Sequence, residues 1–192
     1  MSSKNIIEEI KQACWKQAIH SFGTGYIFEK RIAKYNRLLN IIKFVGIGTP
    51  LLVGAIVLMY GSNFKYIEIF IVTASSILLI QLIISFWALV AKWEDKYTHA
   101  VQSTFANYNI SWEYEKLAKN PVTDTKQLEN DFKIIEAKSR EWDRNDYKQE
   151  VSDKEKRKGM RAALRNYQRP CSGCEEVPKS MKPTNCHICG NF

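Results

Sequence analysis

Two apolar runs decide the fold of this chain: FVGIGTPLLVGAIVLMY, residues 44–60, and IFIVTASSILLIQLIISFWALVA, residues 69–91. Ile41 and Ile42 extend the first run at its start, and the second run has no charged residue. A helix of about 20 residues crosses a bilayer core, and a chain of 192 residues is too short to cover two such helices on all sides. The sequence therefore predicts an all-α membrane protein with transmembrane helices at about 41–60 and 69–91, rather than two buried helices of a soluble protein.

A short linker joins the two runs and carries little positive charge. Residues 61–65 are too few for anything but a tight turn, so the spans are expected to be antiparallel neighbours in one hairpin, residues 41–91. Basic residues gather at the other ends of both spans: Lys30, Arg31, Lys34, Arg37 and Lys43 before the first, and Lys92 and Lys96 after the second. Because positive charge stays on the cytoplasmic side, both termini are expected in the cytoplasm.

Small and polar residues within the spans follow a pattern. Pro50 cannot donate a hydrogen bond to the carbonyl of Gly46, which predicts a kink in the first span. One face of the second span carries Thr73, Ala74, Gln81, Ser85 and Ala88. Such faces pack membrane helices within a hairpin or between copies. The alternative is that Pro50, Thr73, Gln81 and Ser85 line a pore in a homo-oligomer. No charged residue lies deep in either span, which argues against an ion pump or proton relay.

The region 1–40 before the hairpin is predicted to form cytosolic helices. A first helix begins at Ser3 and is expected to end at about His20, because Gly23 and Gly25 interrupt the pattern. A second helix is expected from Tyr26 directly into the first span. The apolar side of the first helix consists of Ile6, Ile7, Ile10, Cys14 and Ala18.

The region 92–168 after the hairpin is predicted to be a cytosolic helical region. Its first helix has an aromatic stripe that is interpreted as core: Trp93, Tyr97, Val101, Phe105, Tyr108 and Trp112. Asn120 and Pro121 indicate a break, and Asp124 with Gln127 resembles a capping box. The next helix has a seam with coiled-coil-like spacing: Leu128, Phe132, Ile135, Ser139 and Trp142.

A last helix is predicted from Ser152 to about Gln168, and its arginines recur at every fourth residue. They are Arg157, Arg161, Arg165 and Arg169, and no acidic residue lies between 156 and 169. The chain carries a net charge of +8. The stripe is interpreted either as a solvated basic face that contacts acidic neighbours, or as a binding face for a phosphate-bearing ligand, a lipid or nucleic acid, because guanidinium groups pair well with phosphate.

The tail, residues 169–192, contains two C-x-x-C pairs with eleven residues between them. The cysteines are Cys171, Cys174, Cys186 and Cys189. Two such pairs form a tetrahedral thiolate site for structural Zn²⁺, and Gly173 and Gly190 are expected to give the turns their flexibility. The spacing predicts a small zinc ribbon; disulfide or redox use and an iron–sulfur cluster are the alternatives. Four thiolates leave no position for a catalytic water, and His20, His99 and His187 are scattered. The chain is not expected to be an enzyme.

Two family resemblances follow from this organisation. Residues 6–142 resemble the SLATT domains, two-transmembrane effector modules of bacterial nucleotide-signalling systems. KEKR at 154–157, GMRAALR at 159–165, CSGC at 171–174 and CHICGNF at 186–192 resemble the bacterial mobilome CxxCx(11)CxxC proteins. Together, the two resemblances imply a multi-pass protein of the bacterial inner membrane with a role in anti-phage defence or mobile-element conflict.

Two functional hypotheses follow. In the first, the resemblance implies an effector that oligomerises and permeabilises the membrane after a cytosolic signal, such as a nucleotide second messenger or a partner protein, reaches the arginine stripe. In the second, the protein is a membrane-tethered adaptor that forms no pore and uses its zinc ribbon to bind a protein or, less favoured, nucleic acid.

Overall fold

The computed structural model describes residues 3–60 and 66–192, which form five α-helices and no strand. The helices are α1 (Ser3–Tyr60), α2 (Ile67–Val90), α3 (Trp93–Lys119), α4 (Thr125–Tyr147) and α5 (Asp153–Tyr167). The predicted all-α class is therefore confirmed for these residues, whereas the turn predicted at 61–65 lies outside them. The chain divides into two compact units: the cysteine unit, Met1–Lys30 with Ala100–Phe192, and the apolar unit, Arg31–His99. The predicted regions 1–40, 92–168 and 169–192 thus all contribute to the cysteine unit.

The apolar unit exposes its most hydrophobic residues. Both α1 and α2 contain a stretch that is long and apolar enough to cross a membrane. The rest of the described chain buries 0% of that stretch in α1 and 6% in α2. A core helix of a soluble protein would be mostly covered by its neighbours. These two apolar stretches are therefore not part of the core that the described chain forms.

Small and polar residues make the contact between α1 and α2. Ala74 and Ala88 are the buried residues of α2. The Gln81 amide nitrogen donates to the carbonyl oxygen of Ile42 at 3.5 Å and lies 3.4 Å from Ser85 Oγ. A Cβ added to Gly46 would lie 2.6 Å from that nitrogen. The glycine therefore makes room for the glutamine, and the predicted packing of the two helices against each other is confirmed here.

The core of the cysteine unit is built by α1, α3 and α4. It consists of Cys14 and Ala18 from α1, Ile110, Tyr114, Leu117 and Ala118 from α3, and Leu128 and Ile135 from α4. Ile7 and Ile10 pack against it from α1, and Phe132 and Trp142 pack against it from α4. The apolar sides predicted for the first helix and for the helix after Pro121 are therefore confirmed.

The break predicted at Gly23 and Gly25 is wrong, because α1 continues through both residues. A Cβ at Gly23 would lie 3.1 Å from the carbonyl carbon of Gly159 in α5, and one at Gly25 would lie 2.9 Å from the ring of Tyr108. Each glycine costs about 1 kcal/mol of helix propensity relative to alanine. The close packing of α5 and Tyr108 against α1 offsets that cost.

The aromatic stripe predicted as core on α3 is also wrong in part. The side chains of Phe105 and Trp112 are 68% and 60% exposed. The buried face combines small and polar residues with three larger ones: Ala100, Ser103, Thr104, Asn107, Ile110, Ser111, Tyr114, Leu117 and Ala118. Several of its polar groups are paired inside the unit. Ser111 Oγ donates to the carbonyl of Ala18 at 2.8 Å, and the Asn107 amide donates to the Asp146 carboxylate at 2.8 Å.

Side-chain caps begin α4 and α5. Asp124 accepts a hydrogen bond from the backbone nitrogen of Lys126, and Ser152 forms a capping box with Glu155. Gln168 ends α5 in the left-handed conformation with φ 51°. The helix predicted between about 152 and 168 is therefore confirmed, and its end directs the chain back toward α5 as the cysteine tail begins.

Candidate metal centre

The four tail cysteines come together in space. Their sulfur atoms lie within 4.8 Å of one another, with 3.9 Å between the sulfurs of Cys171 and Cys186 and 3.8 Å between those of Cys174 and Cys189. A tetrahedral zinc site with Zn–S bonds of about 2.3 Å places neighbouring sulfurs about 3.8 Å apart. The four residues therefore fit one tetrahedral metal ion such as Zn²⁺.

Each C-x-x-C pair is shaped by a backbone turn. The nitrogen of Glu175 donates to the carbonyl of Cys171 at 2.8 Å, and the nitrogen of Gly190 donates to the carbonyl of Cys186 at 2.9 Å. A Cβ at Gly173 would lie 2.9 Å from Ile188 Cδ1, and one at Gly190 would collide with Thr184 Oγ1. These glycines are thus needed for space rather than for the turn flexibility that was predicted.

The segment between the two pairs is irregular. Residues 175–185 form neither a helix nor a strand. The β-hairpin that the term zinc ribbon implies is therefore absent from this described segment. Backbone contacts such as the one from the Cys171 nitrogen to the Glu176 carbonyl, 3.0 Å, shape the first turn instead.

The cysteine cluster is packed against α1 and α5. Leu164 of α5 forms a buried cluster with Cys171 and Cys189, which are each 1% exposed. Ile19, Met160 and Ile188 pack around this cluster. The site is therefore part of the folded cysteine unit, and metal binding at it couples to the packing of two helices.

Arg161 supports the cluster from α5. Its side chain is 6% exposed; Nε donates to the carbonyl of Ser180 at 2.7 Å, and Nη1 donates to the carbonyl of Cys189 at 3.3 Å. The same nitrogen lies 3.9 Å from the Cys189 sulfur. Four thiolates around one divalent ion carry two net negative charges. A buried guanidinium beside them offsets that charge and holds Cys189 in place.

The four arginines therefore do not share one exposed stripe, as had been expected. Arg161 faces the tail, whereas Arg165 and Arg169 are exposed. Arg169 lies over the ring of Trp15 at 4.6 Å, and Arg157 is half-buried, with an Nε that has no hydrogen-bond partner in the described part of the chain. Each four-residue step turns about 40° around a helix, and Arg169 lies beyond the end of α5, so the four groups meet different neighbours. A phosphate-binding role stays a prediction for the exposed members.

Backbone hydrogen bonds and burial move the pKa values of Cys186 and Cys189 in opposite directions. Hydrogen bonds from the backbone nitrogens of Cys189 and Ile188 lower the pKa of Cys186 to about 6, which favours its thiolate form. Burial raises the pKa of Cys189 well above its ordinary value. A cation at the centre of the cluster would offset that burial, because thiolates are the metal-binding form.

The predicted pore residues separate into two groups. Pro50 and Thr73 are exposed, and the Thr73 hydroxyl donates to the Ile69 carbonyl of its own helix at 2.7 Å. Gln81 and Ser85 are half-buried at the contact between α1 and α2. The structure thus brings the last two together and leaves the first two outside that contact.

The family model for the mobilome CxxCx(11)CxxC proteins matches residues 11–192. The chain belongs to this family. The match spans all four clustered cysteines and the five helices except the start of α1. No curated protein and no solved structure matches the chain. The resemblance of residues 6–142 to the SLATT domains stays a prediction.

Proposed function

We propose that this mobilome protein is a membrane effector of a bacterial conflict or anti-phage system. It spans the inner membrane twice, with both termini in the cytoplasm, and the hairpins of several copies permeabilise the bilayer after a cytosolic signal. The observation that carries the proposal is the uncovered apolar surface of α1 and α2, of which the described chain buries 0% and 6%. Lipid and further copies of the chain are the natural cover for such surface.

The contact between α1 and α2 supports a rearrangement. The two bonds of the Gln81 amide measure 3.5 Å and 3.4 Å, longer than the ordinary value of about 2.9 Å. Hydrogen bonds of this length are weak, so Gln81 and Ser85 can exchange them for bonds to another copy. An assembly that turns these side chains toward a common axis would create a polar path.

The cysteine unit is the proposed receiver of the signal. Its basic residues Arg165 and Arg169 are exposed, and the four-cysteine cluster packs into its helices. The exposed arginines could bind a nucleotide second messenger or an acidic partner protein, and either would serve as the signal. Helix α1 supplies residues to both units, which offers a covalent route for the response.

Dye leakage from liposomes tests this function. The purified full chain is reconstituted at several protein densities, and leakage is recorded alone and with added cyclic mono- and dinucleotides. Gln81→Leu is expected to reduce leakage, whereas Ser76→Ala, which removes an exposed hydroxyl bonded only to its own helix, serves as the matched control. Equal leakage from Gln81→Leu and wild-type protein would contradict the polar path.

A membrane-tethered adaptor is the second candidate, and one observation favours it. All four positions of the cysteine cluster are occupied by thiols that pack into the cysteine unit, so the site is suited to stabilise a surface rather than to react. Tight capture of one partner protein by the full chain, with intact liposomes under every nucleotide, would support the adaptor and overturn the effector.

A further inference from the structure

A cavity lies beside the cysteine cluster, and two of the four clustered cysteines line it. This cluster cavity has a volume of about 470 Å³ and is bounded by Arg161 of α5 and by residues of the tail that include Cys174, Val177 and Cys189. The other two cysteines of the cluster, at positions 171 and 186, lie outside its lining. A small solute in the cavity therefore meets the cluster on the side of Cys174 and Cys189.

We propose that Cys174 and Cys189 form a peroxide-sensitive pair, a site at which hydrogen peroxide converts two metal-binding thiolates into a disulfide. The reaction consumes two ligands of the cluster, so it is a modification rather than a catalytic activity. The proposal concerns the cysteine unit alone. It depends neither on membrane insertion nor on the effector or adaptor function proposed above.

The burial of the two cysteines gives each a different role. Cys174 is partly exposed, whereas Cys189 is 1% exposed. Their sulfurs lie 3.8 Å apart, and the bond in a disulfide measures about 2.05 Å, so a shift of less than about 2 Å joins them. Cys174 is therefore the sulfur that peroxide attacks first, and Cys189 is the partner that closes the disulfide.

The reaction takes place in two balanced steps. In the first, the Cys174 thiolate attacks one peroxide oxygen; the S–O bond of a sulfenic acid forms, the O–O bond breaks and hydroxide leaves. In the second, the Cys189 thiolate attacks the sulfur of that sulfenic acid; the S–S bond forms, the S–O bond breaks and a second hydroxide leaves. Peroxide gains the two electrons that the thiolates lose. The cluster keeps only two of its four ligands, so it releases its ion.

Arg161 supplies a cation at the place where the first hydroxide leaves. Its side chain is 6% exposed and lines the cluster cavity, and Nη1 lies 3.9 Å from the Cys189 sulfur. Its hydrogen bonds to the described residues all leave from Nε and Nη1, so the N–H groups of Nη2 remain for a molecule in the cavity. A guanidinium that donates to the departing oxygen stabilises the negative charge that develops there.

The second partly exposed sulfur of the cluster is less suited to the attack. Cys186 is exposed to a similar degree as Cys174, but its sulfur accepts hydrogen bonds from the backbone nitrogens of Cys189 and Ile188. The Cys174 sulfur accepts one such bond, from Glu176. Hydrogen bonds that stabilise a thiolate lower its nucleophilicity. Cys174 is therefore expected to react before Cys186.

Peptide mapping of the zinc-loaded full chain tests the proposal. The protein is treated with less than one equivalent of hydrogen peroxide, and the remaining thiols are blocked. Trypsin, which does not cleave before proline, then divides the tail into peptides 166–179 and 180–192, each with one C-x-x-C pair. A disulfide between Cys174 and Cys189 should join the two peptides, and fragmentation of the joined species locates the bond. A chelating dye should record the release of one zinc per disulfide.

Three results would overturn the proposal. Disulfides within the C-x-x-C pairs would leave the two peptides separate. A disulfide between Cys171 and Cys186 would join the peptides but would place the reaction on the side away from the cavity lining. Full zinc content after the treatment would show that peroxide does not reach the cluster.

A variant that narrows the cavity tests the route of the peroxide. Val177→Phe adds volume at the cavity lining, so peroxide should release zinc several-fold more slowly from this variant at equal zinc content. Val122→Phe makes the same change between α3 and α4, outside the lining, and should react at the wild-type rate. Equal rates for the two variants would contradict entry through the cavity.

Arg161→Lys tests the role of the guanidinium. The variant keeps the positive charge but lacks the N–H groups of Nη2, so its disulfide should form about tenfold more slowly at equal zinc content, the effect of losing one charged hydrogen bond. A purely structural role of Arg161 predicts the opposite, because a weaker metal site exposes its thiolates and reacts faster. Faster disulfide formation in Arg161→Lys would therefore refute this role.

Discussion

The two units of this protein place their polar and apolar side chains in opposite ways. The cysteine unit buries polar side chains that bond to other parts of the unit, such as Arg161 to Cys189 and Asn107 to Asp146. The apolar unit turns large aliphatic side chains outward, as with Leu82 and Ile83, which are 66% and 62% exposed. The first unit contains the four-cysteine cluster and closely packed helices, whereas the second exposes apolar surface that the described residues do not cover. Changes to one unit should therefore leave the other largely intact.

The largest effect is expected from Cys186→Ser. Binding of a structural zinc ion by four thiolates contributes roughly 10–16 kcal/mol in small zinc modules, so removing one ligand should unfold the tail and weaken the packing of α5. Elemental analysis of purified protein should find one zinc per wild-type chain and none in the variant. Circular dichroism in detergent should show that most helix is retained, because α2 and the apolar part of α1 belong to the other unit and do not contact the cysteine cluster.

The fifth cysteine provides the matched control for that experiment. Cys14 is 0% exposed and packs in the core of the cysteine unit, away from the four clustered sulfurs. Cys14→Ala should lower stability and still bind one zinc. Loss of zinc in Cys14→Ala, or full zinc content in Cys186→Ser, would contradict the assignment of the ligands.

The next effect concerns the charge beside the metal site. Arg161→Met removes the buried guanidinium that contacts Cys189 and Ser180. Supporting residues of this kind alter metal affinity by about 10–100-fold, so competition with a chelator should show a weaker zinc site. Arg165→Met, at an exposed position of the same helix, should change nothing; equal affinities in both variants would refute the role of Arg161.

A pair of glycines compares packing in the two units directly. A Cβ at Gly159 would lie 2.6 Å from the carbonyl oxygen of Gly23, whereas one at Gly48 would meet nothing within 4 Å. Gly159→Ala should lower the free energy of unfolding by about 1–3 kcal/mol through overpacking. Gly48→Ala should keep or raise it by up to about 1 kcal/mol through helix propensity. Thermal unfolding in detergent measures the stability of both variants. Equal melting temperatures would show that the two units do not differ in how tightly their helices pack at these glycines.

The smallest effect is a pH dependence at the surface of the cysteine unit. The Asp143 carboxylate, whose Oδ1 lies 3.9 Å from Nε2 of His20, favours the protonated imidazole and raises the pKa of His20 above its ordinary value. Because the folded pKa is the higher one, the pair contributes stability that is fully present below about pH 6.5. That contribution is lost as the pH rises through the raised pKa.

The variant Asp143→Asn isolates this contribution. Both side chains are about half exposed, at 57% and 46%, so the contribution should be below about 1 kcal/mol. Unfolding free energies of wild-type and variant protein should differ at pH 5.5 and converge at pH 9. A difference that grows with pH would show that the sign is wrong.

Regular spacing explains what could be predicted from the sequence. The alternating seam of α4 from Leu128 to Trp142 and the four-cysteine cluster follow from local patterns, and both are confirmed. The two apolar runs likewise predicted α2 and the last part of α1, because an apolar stretch of this length forms a helix in nearly every known structure.

Contacts between distant parts of the chain explain what could not be predicted. Gly23 appears to interrupt a helix until Gly159 is known to lie against it. Phe105 is aromatic and yet exposed, whereas Ser103 and Asn107 are buried, because their polar groups find partners that no periodicity reveals. Arg161 was grouped with Arg165 by spacing alone. Its position beside a tail with two C-x-x-C pairs was the signal that could have separated them.

An alkaline wash of membranes from cells that express the full chain tests the central claim most directly. If lipid covers the apolar unit, the protein should remain in the membrane pellet at high pH, with one zinc per chain after purification from that pellet. Release of the intact, folded protein into the supernatant would show that α1 and α2 are covered by something other than lipid, and it would contradict the account.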